Sequence, residues 1–495
     1  MEKGEQVDQA PASVERTPTN DPSPKEAPST TPSGTDWDGP DDPGNPMNWS
    51  SAAKAYHVTV PGLYGFAVTF GTSVYTPALF SITEHFHISR TVALLGLTLY
   101  TFGLGLGPII AAPLSERYGR RIVYLISGPV FMLFILGAGF SKTFASFLVC
   151  RLLAGVMGSP ALAVAGGTTA DLVVPSKRAK VTTIFIMAPF AGPSIGPVVG
   201  GFAAQYKGWR WSQWCILFVS LVVFLSAIPM KETYKPIILK RRAKERGILP
   251  KETSGGGGAV KKTVVQNFLR PMHMLVTEPV VFFLSLYTSF LFGILFLFFA
   301  AIPYIFQRPP YLFNTWQTGL IFLSIGLGVC LGAITGIVID SQIYQKKHRE
   351  FMAAGLTHTP PEHRLYNGMI GGFGIPVGLF WFAWTADKGV HWAVPAIGAV
   401  PFAWGNVCVF ISAVIYMVDC YGPMNGASAL AANGIFRYTL GSVFPLFTIQ
   451  MYQRLGTGWA TSLLGFLALL MLPIPFILFK FGPAIRKRSH YPVII

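Results

Sequence analysis

Two arginines interrupt long apolar segments of this sequence. Arg151 lies in CRLLAGVMGSP, nine residues after Lys142, and Arg437 lies in NGIFRY with no acidic residue near it in the sequence. At 1.5 Å per residue, Arg151 is expected roughly 13 Å inside a membrane-spanning helix. A guanidinium at that depth is costly unless it contacts a partner or a polar cavity. These residues therefore indicate charge pairing or ligand binding inside a bilayer.

Two aspartates, Asp171 and Asp419, lie at the ends of apolar segments. Proton coupling normally needs a carboxylate or a histidine that titrates inside a cavity. We expect both aspartates at the cytoplasmic membrane surface, a position that favours gating ion pairs over proton carriage. No obvious proton carrier is visible. For Arg437, pairing across a helix bundle and contact with a substrate are equally compatible with the sequence.

The stretch GPSIGPVVGG lies in the middle of an apolar segment. Glycine and proline are costly within soluble helices, but membrane helices tolerate them where they bend or let a neighbouring backbone approach closely. We therefore predict an interface helix that takes part in a conformational change. The residues concerned are Gly192, Pro193, Gly196, Pro197, Gly200 and Gly201.

A charged turn, APLSERYGRR, separates two apolar segments. Glycine permits a sharp turn, and an acid beside several arginines can pair with neighbouring helix ends. A latch between conformations is the predicted role of Glu116, Arg117, Gly119, Arg120 and Arg121. A faint repeat of this pattern occurs 224 residues after Glu116. There the stretch GIVID ends at Asp340, and the basic residues Lys346 and Lys347 follow.

The 39 Phe, 18 Tyr and 11 Trp residues supply candidates for an aromatic cavity. Most are expected to face lipid or core. A cavity lined by a few of them would suit amphipathic or cationic molecules. The candidates are Tyr75, Tyr287, Phe290, Phe436 and Tyr438.

Composition identifies an integral membrane protein. Of 495 residues, 51% are hydrophobic and 12% charged, against roughly 25% charged in soluble proteins. The expected fold is an all-α membrane protein of twelve transmembrane helices in two six-helix bundles, with both termini cytoplasmic. The predicted spans are roughly 56–80, 92–113, 121–140, 144–170, 180–206, 212–230, 279–305, 316–339, 367–386, 391–417, 424–450 and 457–480.

The segments between these spans define the predicted domains. Residues 1–50 form a polar, disordered cytoplasmic tail, 51–230 and 279–480 the two bundles, 231–278 a basic cytoplasmic linker and 481–495 a short basic tail. Lysine and arginine are concentrated in the even-numbered loops, which places those loops in the cytoplasm. The basic character is thereby explained without a nucleic-acid partner.

These motifs together resemble the major facilitator superfamily. The turn APLSERYGRR has the layout of its signature loop, although Ala112 stands for the usual Gly and Glu116 for the usual Asp. Arg151 matches its second motif, and GPSIGPVVGG matches the motif of its antiporters. Further stretches resemble the fungal twelve-span drug:proton antiporters of the polyamine and multidrug branch, over residues 36 to 490: NPMNW, DLVVPSKRAK, GWRWSQW, ETYKPIIL, PEHRL and VDCYGPMNGASALAANGIFRY.

The resemblance implies proton-coupled export of lipophilic or cationic small molecules, such as drugs, toxins or polyamines, by alternating access. It also implies a part for Arg151 in proton transfer. The expected partners are a small-molecule substrate, protons and the lipid bilayer, with no nucleic acid, no cofactor and no metal, in a monomer that is not an enzyme. We expect the plasma membrane, or alternatively the vacuolar membrane.

Three alternatives stay open. The first is an exporter dedicated to one endogenous or secondary metabolite. The second is an uptake permease of the same fold, against which the GPSIGPVVGG motif argues. The third is a membrane receptor or scaffold, which the absence of a globular signal in the tail disfavours.

Overall fold

The computed structural model describes residues 36–173, 175–247, 269–355 and 359–492. Within these ranges the chain is helical and contains no β-strand. The predicted disorder of residues 1–35 lies outside the described residues.

The first half of the chain forms six long helices. They are α1 (Ser51–Ser73), α2 (Arg90–Tyr118), α3 (Arg120–Gly139), α4 (Phe144–Gly158 with Pro160–Leu172), α5 (Pro175–Lys207) and α6 (Arg210–Ala227). Short helical turns at Thr76–Ala78 and Leu79–Phe86 join α1 to α2.

The second half begins with α7 (Pro279–Phe306), α8 (Thr315–Ile339) and α9 (Tyr366–Gly372 with Gly374–Asp387). A continuous helical stretch, Ala393–Met471, and a last helix, Pro473–Arg486, follow. Gly422 (φ 66°) and Gly456 (φ 75°) are non-helical inside that stretch. It therefore contains three segments: α10 (393–421), α11 (423–455) and the first part of α12 (457–486).

The predicted twelve-helix fold is confirmed. By length and composition alone, ten helices of the described chain could cross a membrane. That count joins α11 to α12, which Gly456 separates. It also omits α1, which contains Lys54 and His57 but packs within the bundle and buries fourteen of its 23 residues.

Three helices are interrupted next to a proline. The breaks in α4 and α12 lie directly before Pro160 and Pro473, and α9 breaks at Phe373, three residues before Pro376. Proline lacks the amide hydrogen and clashes with the preceding turn. The apolar spans therefore bend without leaving the bilayer.

Two pairs of helices join the halves. On one side α2 packs against α11, where the position of a Cβ on Gly105 would lie 2.9 Å from Tyr438 Cβ. On the other side α5 packs against α8. The helix α7 is buried along most of its length and belongs to an apolar core that extends through both halves.

Residues 36–50, which the sequence assigns to the tail, lie against the linker helix Lys235–Glu245. Asp42 accepts hydrogen bonds from both terminal nitrogens of Arg242, at 2.5 and 2.8 Å. Asp38 pairs with Arg246. The side-chain hydrogen bonds from Arg242 hold the pKa of Asp42 well below its usual range. We call this segment, with its contacts to the linker helix, the tail brace.

Candidate functional site

Arg151 is enclosed inside the N-terminal bundle, with none of its surface exposed. Its Nε donates a hydrogen bond to the carbonyl oxygen of Gly96 on α2 (3.1 Å), and one terminal nitrogen donates to that of Gly71 on α1 (2.9 Å). The guanidinium lies 4.1 Å from the ring centre of Tyr100 and 5.1 Å from that of Tyr75. Backbone dipoles and aromatic faces therefore stabilise this charge.

Arg437 on α11 has different surroundings. Its guanidinium lies 4.8 Å from the ring centre of Phe292, 4.6 Å from that of Phe410 and 4.8 Å from that of Tyr438. The side chain is half-buried, and its Nε is buried without a hydrogen-bond partner. Three apolar or phenolic rings thus surround a cation between α7, α10 and α11.

The GPSIGPVVGG motif packs α5 directly onto α1. The position of a Cβ on Gly196 would lie 2.9 Å from the Val74 backbone nitrogen, and one on Gly200 would lie 2.9 Å from the Val74 carbonyl carbon. Ser73 donates a hydrogen bond to the carbonyl of Gly192. Because only glycine allows these approaches, the motif fixes the spacing between α5 and α1.

The opposite face of the same motif contacts the other half of the molecule. The position of a Cβ on Gly201 would lie 3.0 Å from the Trp316 Cα, and one on Gly319 of α8 would lie 3.1 Å from the Pro197 carbonyl carbon. Farther along, Gly326 faces Ser194 in the same way. The helix α5 therefore lies between its own bundle and α8, and Pro193 belongs to this segment.

The turn between α2 and α3 is held by an acid that the sequence analysis did not single out. Glu232, from the start of the linker, accepts hydrogen bonds from the backbone amides of Arg120 (2.8 Å) and Arg121 (3.1 Å). These amides open α3, so the carboxylate satisfies unpaired donors of a helix N-terminus. Gly119 adopts φ 100° at the turn. In the sequence, Glu232 stood out only as the first residue of the stretch ETYKPIIL.

The side chain of Arg120 reaches the end of α4. Its Nε lies 3.4 Å from Asp171 Oδ2, and one terminal nitrogen donates a hydrogen bond to Ser115 Oγ (2.7 Å). Glu116 is exposed and forms no ion pair within the described side chains. Arg117 lies over the ring of Tyr118, and Arg121 donates to the carbonyl of Ile228 (3.2 Å).

The C-terminal half contains a second arginine–aspartate cluster, which resembles that of Arg120 and Asp171. Arg364, between α8 and α9, donates to Asp340 at the end of α8 (3.0 Å) and to Asp419 near the end of α10 (2.8 Å). Its guanidinium also lies 3.3 Å from the ring centre of Tyr344. Asp419 was predicted as a gate residue, whereas Arg364 appeared only within the PEHRL stretch.

The five aromatic candidates do not form one group. Tyr75 is buried in the N-terminal bundle and donates to the carbonyl of Ala93, while Tyr287 and Phe290 are buried in α7. Phe436 is half-buried, and Tyr438 contacts Arg437 at the junction with α2.

Three hydrogen bonds between the halves lie toward the side opposite the tail brace. Gln450 donates to Thr91 (2.9 Å), the Trp316 amide donates to Gln205 (3.2 Å), and Thr98 donates to the carbonyl of Ser442 (2.8 Å). The arginine clusters described above each stay within one half. The polar contacts described therefore hold the halves together at the face predicted to be extracellular.

Two six-helix halves that meet along α2 with α11 and α5 with α8 define a membrane transporter fold. Residues 62–445 match the Major Facilitator Superfamily, and the chain belongs to this family. It is 40% identical over 482 residues to "Polyamine transporter 4" of Saccharomyces cerevisiae, covering 92% of this chain and 73% of the relative.

A second relative is "MFS-type efflux pump MFS2" of Trichophyton rubrum, with 37% identity over 463 residues, 91% of this chain and 76% of the relative. The solved structure of the proton:xylose symporter XylE bound to 6-bromo-6-deoxy-D-glucose superposes with a TM-score of 0.62, covering 88% of this chain and 97% of that chain. At 17% identity, this likeness supports the fold alone.

Proposed function

We propose that the protein exports lipophilic small molecules in exchange for protons, by alternating access of a site between its two halves. The observation that carries the proposal is the placement of α5, which contacts α1 through Gly196 and Gly200 and contacts α8 through Gly201. A helix this closely packed on both sides can transmit a movement of one half to the other.

In this proposal the two arginine clusters hold the cytoplasmic end of each half together. Arg120 with Asp171 ties α3 to α4, and Arg364 with Asp340 and Asp419 ties α8 to α10. Each cluster keeps one half rigid while the halves rock against each other. The side chains of these pairs are largely buried, so breaking a pair without offering a new partner is costly.

Export rather than uptake is favoured by the GPSIGPVVGG motif and by the name of the Trichophyton relative, an efflux pump. Inward-facing, the site would take a compound from the cytosol or the inner leaflet, and protons from outside would drive its return. No covalent bond changes in this cycle, so the protein acts as a transporter and not as an enzyme.

Within the described residues, the candidate groups for proton coupling are enclosed or paired. Arg151 is enclosed by α1 and α2. His57, near the start of α1, has both ring nitrogens engaged, by the Ala53 carbonyl oxygen and by the Lys231 amide. Asp171 is paired with Arg120. In the proposal, proton entry breaks the Arg120–Asp171 pair and loosens the cytoplasmic end of α4.

An exporter dedicated to a single metabolite is the second candidate. The polyamine transporter relative favours it, since 40% identity extends over nearly the whole of this chain. We place the protein in the plasma membrane, because an exporter there removes its substrate from the cell. We further propose that it acts as a monomer.

The test is growth of a yeast strain that lacks its own drug pumps, with and without this chain, on a panel of drugs and polyamines. Protection against several lipophilic compounds that a protonophore abolishes is the expected result. Protection against one compound supports the dedicated exporter. No protection at normal surface abundance would overturn the export proposal.

A further inference from the structure

We propose that Arg437 is an organic-anion site, so that the compounds carried best are amphipathic carboxylates or phenolates and not polyamines or other cations. This inference rests on the proposed transport function and adds the charge of its substrate.

The first observation is the unsatisfied guanidinium. The cation–ring contacts with Phe292, Phe410 and Tyr438 are its recorded interactions, and within the described chain it has no hydrogen bond or ion pair. A guanidinium carries five N–H donors in a planar fork. Leaving such a group unpaired in a low-dielectric interior is costly, which a ligand with acceptor oxygens would relieve.

The second observation is room beside it. Gly434 lies nearly one helical turn before Arg437, and the position of a Cβ there would meet no atom within 4 Å. Residues three apart share a helix face, and both are only half-buried. A small group can therefore approach the guanidinium along this face of α11.

The third observation is the sign of the charge in the transmembrane interior. Acidic side chains of the described chain beyond Ser51 lie in loops or near helix ends; they are Glu84, Glu116, Asp171, Glu232, Glu245, Glu278, Asp340, Glu350, Glu362, Asp387 and Asp419. The two guanidiniums at membrane depth thus face no carboxylate at that depth.

These two cations differ in how they are solvated. Arg151 donates hydrogen bonds to two carbonyl oxygens and keeps one buried terminal nitrogen without a partner, whereas Arg437 donates no hydrogen bond within the described chain. A polycation entering beside Arg437 would meet repulsion with no carboxylate to offset it. A carboxylate would bind in the fork geometry that guanidinium prefers.

The rings around Arg437 define the rest of the ligand. Phe292, Phe410 and Tyr438 offer apolar faces next to the charge, and Phe410 also contacts Phe190 of α5 at a centroid distance of 5.1 Å. A flat or branched apolar body attached to the anionic group would therefore span from α11 toward the helix that carries the GPSIGPVVGG motif.

The test compares fluorescein and rhodamine 6G, which share a xanthene ring system but carry opposite charge. Efflux of each dye is measured from pump-deficient yeast that express the wild type, Arg437→Gln or Arg437→Lys at matched surface abundance. We expect the wild type to export fluorescein better than rhodamine 6G. Fluorescein export should fall about tenfold or more in Arg437→Gln and be partly retained in Arg437→Lys, while the weaker rhodamine export should not fall in either variant. Arg454→Gln, an exposed arginine on the same helix, is the matched control and should behave as wild type.

Binding of fluorescein to the purified protein, followed by fluorescence polarisation, keeps the test valid if a variant transports poorly. Fluorescein binding that Arg437→Gln weakens and Arg454→Gln leaves intact supports the site. Export of rhodamine but not fluorescein by the wild type, or equal fluorescein binding by wild type and Arg437→Gln, would overturn it while the export proposal stands. Failure to export any compound of the wider panel would instead remove the export proposal.

Discussion

Ser73 on α1 donates a hydrogen bond to the backbone carbonyl of Gly192 on α5, with 3.1 Å between the two oxygens. The hydroxyl reaches a main-chain atom of the neighbouring helix because no side chain at Gly192 or Gly196 keeps the helices apart. The contact fixes the register of α5 on α1, while the other face of α5 remains available to α8.

Gly196→Ala should therefore impair transport. The added methyl would lie about 3 Å from the Val74 amide and against Ser73, and overpacking of this kind costs about 1–3 kcal/mol. Lower thermal stability in detergent and slower efflux are expected. Gly166→Ala is the control, because an added Cβ there meets no atom within 4 Å; equal behaviour of the two variants would contradict the packing argument.

Arg151→Lys should fail although it keeps the charge. Two separate nitrogens of the guanidinium bind carbonyl oxygens on α1 and on α2, and a lysine ammonium cannot reproduce that fork. We expect a loss of about 1.5–3 kcal/mol per charged hydrogen bond removed, measured as the melting temperature of the purified protein beside its efflux rate. Full activity in the lysine variant would show that only the charge matters.

The Arg120–Asp171 pair should show coupling in a double-mutant cycle. Arg120→Gln and Asp171→Asn each remove the ion pair, so the double variant should lose less than the sum of the singles, with a coupling energy of about 0.5–3 kcal/mol. Melting temperatures and efflux rates are measured for the wild type, the two single variants and the double variant. Additive losses would mean that the two side chains act independently. Lys142→Gln, in the loop between α3 and α4, serves as a charge-removal control.

The tail brace should depend on pH and on Asp42. The hydrogen bonds from Arg242 depress the folded-state pKa of Asp42. The ionised Asp42 side chain therefore stabilises the tail brace at pH values above the ordinary aspartate pKa of about 4. This stabilisation is lost as the pH falls through the folded-state pKa. Asp42→Asn should release residues 36–50 at neutral pH, seen as faster hydrogen exchange. Asp41→Asn, a neighbouring exposed acid, is the control, and unchanged exchange in Asp42→Asn would contradict the brace.

The sequence indicated the helices and the motifs because their signals are local. Apolar length defines the spans, and the spacing of Gly192, Gly196 and Gly200 defines one face of α5. The assignment of Asp171 to an ion pair at a helix end followed from its position next to the membrane surface.

The partners of these residues were beyond local reasoning. Glu232 binds the turn at Arg120 from 112 residues away, and Asp42 meets Arg242 across 200 residues. The rings around Arg437 come from α7, α10 and α11. Contacts of this kind depend on how the helices pack, for which apolar periodicity carries no information.

The most direct measurement is dye flux in proteoliposomes that contain the purified protein, with a pH gradient imposed across the bilayer. Dye movement against its own gradient, opposite to the proton flow and abolished by a protonophore, is the predicted result for the wild type. Gly196→Ala should reduce this flux, and Gly166→Ala should leave it unchanged. Flux in the same direction as the protons, or flux that ignores the pH gradient, would contradict proton-driven export.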